Sequence, residues 1–147
     1  MANGSGFVRQ HAPSFDEQVY RMRLLWPGFS LVKSRRQVEA VWNGSLQPSP
    51  LSESYLVSLS YRPGWNPESR VLSPELKIRE GFNDLPHIYG DGSLCLNVIG
   101  DWHRWMYIAD YIVPWVTMWL YFYEVWFATG NWVGGGTHPD KPEHRNE

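Results

Sequence analysis

The residues best suited to covalent chemistry lie in one stretch, residues 85–98, which reads LPHIYGDGSLCLNV. It contains the only cysteine of the chain, Cys95, and His87 lies eight residues before it. The thiolate is the nucleophilic form of cysteine, and a neighbouring cation favours it. The pair therefore suggests a nucleophile, although a lone cysteine can equally be a small buried thiol that only fills space.

The segment around the cysteine predicts a turn followed by an extended piece. Gly90 and Gly92 can adopt positive φ, and the Asp91 side chain can hydrogen-bond to nearby backbone amides. Residues 93–98 then predict a short extended segment that presents Cys95 beside ordered backbone.

The same stretch resembles the active-site segment of the ubiquitin-conjugating enzymes, which carry ubiquitin as a thioester. That family has a His-Pro-Asn triplet, then an apolar residue, a tyrosine or similar residue, Asp-Gly, a small polar residue and an aliphatic-Cys-Leu triplet. The family's histidine position holds Leu85 here, and its oxyanion-binding asparagine position holds His87. The residues that match without a gap are Pro86, Ile88, Tyr89, Asp91, Gly92, Ser93, Leu94, Cys95 and Leu96.

The resemblance implies that Cys95 accepts the C-terminal acyl group of a partner protein as a thioester, which an amine then attacks. The tetrahedral intermediate carries an oxyanion that needs hydrogen-bond donors. His87 or a backbone amide of the loop has to supply them here, and a protonated His87 would also favour the Cys95 thiolate. Tyr89, Asp91 and Trp105 are expected to bind substrate, with Trp105 at the place of a family tryptophan before the second helix.

Further candidates lie outside the matched stretch. An aspartate assists the incoming lysine in some family members, and Asp101 and Asp110 are the candidates here, although Asp110 can instead stabilise a helix N-terminus. His103 and His138 are additional histidines that could approach Cys95. His138 follows a glycine run and could fold back, but an exposed tail is the simpler expectation.

The elements that must position these residues begin with a helix. Ser14 and Glu17 have the spacing of a capping box, in which each side chain satisfies a backbone amide of the first turn. Pro27-Gly28 ends the segment. The helix is amphipathic, with an apolar stripe at helical spacing made of Phe15, Val19, Met22 and Trp26.

A strand region follows the helix. The turn-rich segment 63–67 is expected to close a hairpin, and Asn43-Gly44 is expected to bend or end the second strand. Alternating apolar positions predict four strands of an antiparallel meander, at residues 29–32, 38–46, 54–62 and 70–73.

Residues 106–128 predict a second, very aromatic helix. A membrane span needs about 20 mainly apolar residues, and Asp110 and Glu124 leave a shorter uncharged interval, so a buried core helix is favoured. Pro114 is expected in the first turn or at a kink. Tyr111, Tyr121 and Tyr123 are expected to pack in the ordinary way or to form a partner surface. The face predicted to lie against the sheet is Trp115, Trp119, Phe122 and Trp126.

The predicted fold class is α+β with the element order of the ubiquitin-conjugating (UBC-like) fold: helix, four-stranded meander, active-site loop, long second helix. Residues 1–13 are expected to be a flexible lead, 14–133 a single domain, and 134–147 a glycine-rich loop and polar tail. Familiar members continue with two more helices, so a truncated C-terminus is expected. The aromatic helix and the Trp-x-Gly-Gly-Gly-x-His-Pro ending resemble bacterial ubiquitin-conjugating-like proteins encoded beside the nucleotidyltransferases of cyclic-oligonucleotide anti-phage (CBASS) systems.

That resemblance implies a role in anti-phage defence, in which the acyl donor is the C-terminus of a cyclic-oligonucleotide synthase. Lysines of a target protein are the expected acceptors, an activating enzyme is a further candidate partner, and no cofactor is implied. The net charge of −2 and pI near 6.2 give no electrostatic reason to bind nucleic acid or membrane. A single cysteine and an N-terminus without a signal-peptide core favour the cytoplasm.

Three other functions compete with acyl transfer. A cysteine hydrolase would use His87, His103 or His138 as base and pass the acyl group to water. A catalytically inactive module of the same fold is favoured by the missing asparagine and opposed by the retained Cys95. A metal site of Cys95 with histidines lacks support from any paired-cysteine or His-Glu-x-x-His pattern.

Overall fold

The structure, a computed structural model, describes residues 11–135. This part of the chain is α+β and follows the predicted order: α1 (Phe15–Leu25), β1 (Ser30–Arg35), β2 (Glu39–Leu46), β3 (Tyr55–Tyr61), β4 (Glu68–Ser73) and α2 (Ile108–Thr129). The four strands form one antiparallel sheet in sequence order. Residues 1–10 and 136–147 lie outside the described part, so the predicted lead, tail and domain limits stay predictions.

The core lies on one face of the sheet. β2 and β3 alternate buried side chains with more exposed ones, as their period-two pattern predicts. Their buried residues join those of α1 and α2 in one apolar cluster. The hairpin between β3 and β4 is confirmed, and its loop contains Gly64 at φ +87°, a backbone conformation that suits glycine.

The prediction that β2 ends at Asn43-Gly44 is wrong, because β2 continues through both residues to Leu46. Gly44 pairs with Val57 of β3, so the ladder is intact at this point. The ring of Phe29 lies directly over Gly44, where a Cβ atom would come within 2.4 Å of the Phe29 ring. The missing side chain of this glycine therefore makes room for the Phe29 ring, and the residue does not form a turn.

The first helix agrees with its prediction. Its capping box is formed, because the Ser14 hydroxyl accepts from the Glu17 amide at 3.1 Å and the Glu17 carboxylate accepts from the Ser14 amide at 3.1 Å. These bonds hold the pKa of the Glu17 carboxyl below its usual range. Phe15 and Met22 of the predicted stripe are buried.

The second helix begins two residues later than predicted and places Pro114 at its seventh residue, not in its first turn. The buried stripe of the helix is also rotated from the prediction, since Trp115 and Phe122 are only partly buried and Tyr123 is buried. Aromatic residues occur on every side of this helix, so their spacing alone did not identify its inner face. The residues facing the core at 4-3-4-3 spacing are Ile112, Val116, Trp119, Tyr123 and Trp126.

A buried amide joins the two helices. The Gln18 side chain is 1% exposed; its Nε2 donates to the Met106 carbonyl at 2.8 Å, and its Oε1 accepts from the Ile108 amide at 2.9 Å. Helix N-termini leave backbone amides without intrahelical partners, and Gln18 satisfies one of them for α2. Arg21 adds two bonds to the Asp110 carboxylate, at 2.8 and 2.9 Å.

No helix within residues 11–135 combines the length and the apolar character that a bilayer crossing requires.

Candidate active site

The loop that leads from β4 to α2 contains a small hydrogen-bonded turn in front of the cysteine. Ile88 and Leu94 form an antiparallel bridge, and the Tyr89 amide donates to the Ser93 carbonyl at 2.9 Å. The Gly92 amide closes the turn by donating to the Tyr89 carbonyl at 2.9 Å, and Gly92 has φ +87°. The predicted turn is thus present, two residues before Cys95.

Asp91 holds this turn together from inside. Its Oδ1 accepts from the Ser93 hydroxyl at 2.6 Å and from the Ser93 amide at 2.9 Å, and these bonds hold the pKa of the Asp91 carboxyl below its usual range. Arg70 of β4 donates to the Asp91 carbonyl and pairs with its carboxylate at 3.4 Å. The turn is therefore attached to the sheet.

The extended piece predicted for residues 93–98 is shorter in the structure. Cys95 itself is extended, but Leu96–Val98 form a 3₁₀ turn that starts directly after it. The Leu94 amide donates to the Ser69 carbonyl of β4 at 2.9 Å. Cys95 therefore stands at the boundary between a strand-like segment fixed to the sheet and a helical turn.

Cys95 is 3% exposed, and its neighbours Leu94 and Leu96 belong to the apolar core. The Tyr89 phenol interacts with the Cys95 sulfur, and this interaction, with partial burial, raises the pKa of Tyr89 to about 12. Tyr89 stays protonated at neutral pH and can donate to the sulfur. Sequence reasoning placed Tyr89 among the substrate-binding residues and missed this contact, which depends on how tightly the turn closes.

His87 is buried beside the cysteine loop, at 2% exposure and with φ +49°. Its carbonyl accepts two hydrogen bonds, from the Cys95 amide at 2.9 Å and from Trp119 Nε1 at 3.1 Å. Its imidazole lies against the indole of Trp132, with ring centroids 4.6 Å apart. Outside glycine, left-handed backbone is tolerated best by Asn, Asp and His, which is consistent with a histidine where the resembled family has asparagine.

An open groove of about 640 Å³ is lined in part by Tyr89 and by Leu94 and Leu96, the two neighbours of Cys95 in the chain. Gly100 forms part of the groove, and the Trp115 indole lies so close that a Cβ there would be 2.5 Å from it. Segments from four parts of the chain build this groove, so sequence spacing did not indicate it. Its walls carry three indoles and two carboxylates, those of Trp65, Trp102, Trp115, Glu68 and Asp91.

The remaining predicted site residues lie elsewhere or outside the described part. Asp101 and His103 are exposed, and within residues 11–135 neither makes a hydrogen bond to Cys95 or Tyr89. The His103 ring stacks on Trp105 with centroids 6.2 Å apart. His138 lies outside the described residues. In the described part, no three His, Cys, Asp or Glu side chains form a group that could hold a metal ion.

The order of the elements, with one cysteine in the loop between the sheet and α2, defines a protein of the ubiquitin-conjugating (UBC-like) fold. A family model described as "Type II CBASS E2 protein" matches residues 18–139, and the chain belongs to this family. Its role is that of an E2-like protein in CBASS anti-phage defence, in association with other CBASS components. A comparison with curated proteins finds no match.

Proposed function

We propose that the chain is an acyl carrier that holds the C-terminus of a partner protein as a thioester on Cys95 and transfers it to an amine. The proposed donor is the C-terminus of a CBASS cyclic-oligonucleotide synthase, and the proposed acceptors are lysines of a target protein. The observation that carries this proposal is the interaction of Cys95 with Tyr89, a residue that lines an open groove.

Two steps make up the proposed reaction. The Cys95 thiolate attacks the carbonyl carbon of an acyl group that an activating enzyme has made reactive, so that a C–S bond forms and the activating group leaves. A lysine amine then attacks the thioester carbonyl, a C–N bond forms, the sulfur leaves as thiolate and the amine loses a proton. Both steps pass through an oxyanion, whose stabilisation needs donors placed in advance.

Tyr89 and His87 are the proposed donors. The Tyr89 hydroxyl keeps its proton at neutral pH and stands at the sulfur, so it can stabilise the thiolate before attack and after departure. In the resemblance, His87 occupies the place of the family's oxyanion-binding asparagine. Its carbonyl accepts a hydrogen bond from the Cys95 amide. Because Cys95 is 3% exposed, its loop must move before an acyl group can reach the sulfur.

The burial of Cys95 favours one rival function, a UBC-like binding module that performs no chemistry. A thiol that never becomes accessible would leave the groove as a docking site for other CBASS components only. The two functions differ in whether a covalent bond to Cys95 ever forms.

The test is to incubate the purified chain with the synthase of its own system, an activating enzyme and ATP, alongside Cys95→Ser and Cys95→Ala. An adduct that reducing agent cleaves, together with a stable ester on the serine variant, is expected on gels and by mass spectrometry. Unmodified Cys95 with unchanged synthase binding by the alanine variant would establish the binding module. Release of free synthase from a conjugate, without new conjugates, would establish the hydrolase.

A further inference from the structure

The chain reverses direction after α2 and returns over the helix. Gly130 has φ +79° and ends α2, and the residues that follow pack on a turn of the helix that lies well before its end. Trp132 contacts Trp119 and Phe122 at centroid distances of 5.7 Å each. Gly134 lies so close to Phe122 that a Cβ there would be 2.4 Å from the ring.

The returning segment brings the Trp132 indole onto the imidazole of His87, with centroids 4.6 Å apart and planes at 42°. The indole is itself held, because its Nε1 donates to the Gly135 carbonyl at 3.2 Å. Trp119 Nε1 donates a hydrogen bond to the carbonyl of the same histidine and so holds its backbone. Two tryptophans thus fix His87, one at its main chain and one at its ring.

The orientation of the ring depends on its neighbours. The χ2 torsion of histidine has a broad energy well, so neighbouring atoms and not intrinsic preference determine where the ring nitrogens point. His87 is 2% exposed, and the indole of Trp132 covers one side of its ring. Because misplacing a reacting group by about 1 Å can lower a rate by about 100-fold, the orientation of this ring affects how well it can serve an oxyanion.

We infer that Trp132 is a positioning residue for His87, which makes the segment after α2 a working part of the active site. The inference rests on the proposed role of His87 in acyl transfer. Trp132 touches neither the sulfur nor the acyl group in this scheme and acts only through the imidazole.

The test is a double-mutant cycle on transfer of the acyl group from the preformed Cys95 thioester to an amine, in a single turnover. At saturating amine, Trp132→Leu is expected to lower the rate about tenfold or more with an unchanged KM for the amine. Trp132→Phe, which keeps a ring, is expected to recover most of the rate. The neighbouring, exposed Val133→Ala is the matched control and should leave the rate unchanged. In a His87→Gly background, Trp132→Leu should have no further effect.

The outcomes separate this inference from the proposed function. An equal loss with and without His87 would show that Trp132 does not act through the ring, and a normal rate in folded Trp132→Leu would also overturn the inference. A normal rate in His87→Gly would instead remove His87 from the chemistry.

A second readout does not depend on catalysis. The His87 imidazole resonance in the folded protein, assigned with His87→Gly, should be displaced by the Trp132 ring current and should move and broaden in Trp132→Leu. An unchanged resonance would contradict the inference even if no thioester ever forms.

Discussion

The Tyr89 phenol interacts with the sulfur of Cys95, six residues further along the chain, and this interaction raises the pKa of Tyr89. The turn between the two residues makes this possible, because Asp91, Gly92 and Ser93 close it with backbone and side-chain hydrogen bonds. The same tyrosine lines the groove. One side chain therefore both interacts with the thiol and lines the groove.

Removing the hydroxyl should slow thioester formation. We expect Tyr89→Phe to lower the rate about tenfold or more at neutral pH, since a hydrogen bond to a charged group contributes about 1.5–3 kcal/mol. Tyr121→Phe, on the exposed side of α2, is the matched control and should have no effect. The measurement is single-turnover loading of Cys95, and a Tyr89→Phe rate equal to wild type would show that the hydroxyl does not assist the sulfur.

Tyr89 should ionise at an unusually high pH. Its folded-state pKa of about 12 lies above the ordinary value of about 10, so its contribution to stability is present below pH 10 and is lost as pH rises through 12. In Cys95→Ala the pKa of Tyr89 should fall, because the interaction with Cys95 is the main cause of its rise. Ultraviolet difference titration against Tyr89→Phe measures this, and a pKa insensitive to Cys95→Ala would contradict the contact.

Substitutions of His87 should be chosen for its left-handed backbone. His87→Gly removes the ring without backbone strain and should lower acyl transfer about 100-fold, the usual effect of losing one oxyanion donor. His87→Asn keeps a donor and a residue type that tolerates this backbone, and should retain most of the rate. Equal losses in both variants, in single-turnover transfer, would assign a specific requirement to the imidazole.

The buried amide of Gln18 should matter for stability. Gln18→Met leaves the Ile108 amide and the Met106 carbonyl without this partner in a buried position, at an expected cost of about 1–3 kcal/mol in the free energy of unfolding. Gln47→Met removes an exposed glutamine whose bond water can replace, and should cost about 0.5 kcal/mol or less. Urea unfolding of the two variants compares them, and similar losses would contradict the role of Gln18.

Substitutions of Asp101 and Asp110 should affect different properties, the attack by the amine and the stability of the fold. Asp110 is already paired with Arg21 at the start of α2, so Asp110→Asn should reduce stability slightly and leave acyl transfer unchanged. Asp101→Asn should slow attack by the amine and leave thioester formation unchanged, if the family role of this aspartate applies. The reverse pattern, seen in discharge of the preformed thioester to free lysine, would assign the lysine-assisting role to Asp110.

The order of the elements could be predicted because each has a local signal. The capping box of Ser14 and Glu17 marks α1, and alternating apolar residues mark β2 and β3. The inner face of α2 could not be predicted, since aromatic residues surround this helix and the sheet selects Tyr123 over Phe122. Gly44 has the character of a turn residue, but a glycine is needed at this position because the Phe29 ring, from another part of the chain, packs directly against it.

The candidate site was predictable only along its own stretch. Gly90, Asp91 and Gly92 predicted the turn before Cys95, and the turn exists. The contact of Trp132 with His87 depends on a chain reversal 43 residues later in the sequence, at Gly130, and no local pattern connects the two. The groove likewise results from the fold as a whole.

The burial of Cys95 has a consequence for the resistance of its thiol to oxidation. Peroxides and other oxidants react with accessible thiolates, and oxidation beyond the sulfenic acid is largely irreversible. Cys95 is 3% exposed, so such reagents reach its sulfur far less readily than they reach an exposed cysteine. A protein with one cysteine has no second thiol in its own chain to resolve a sulfenic acid as a disulfide, so this shelter is the protection that the fold itself provides.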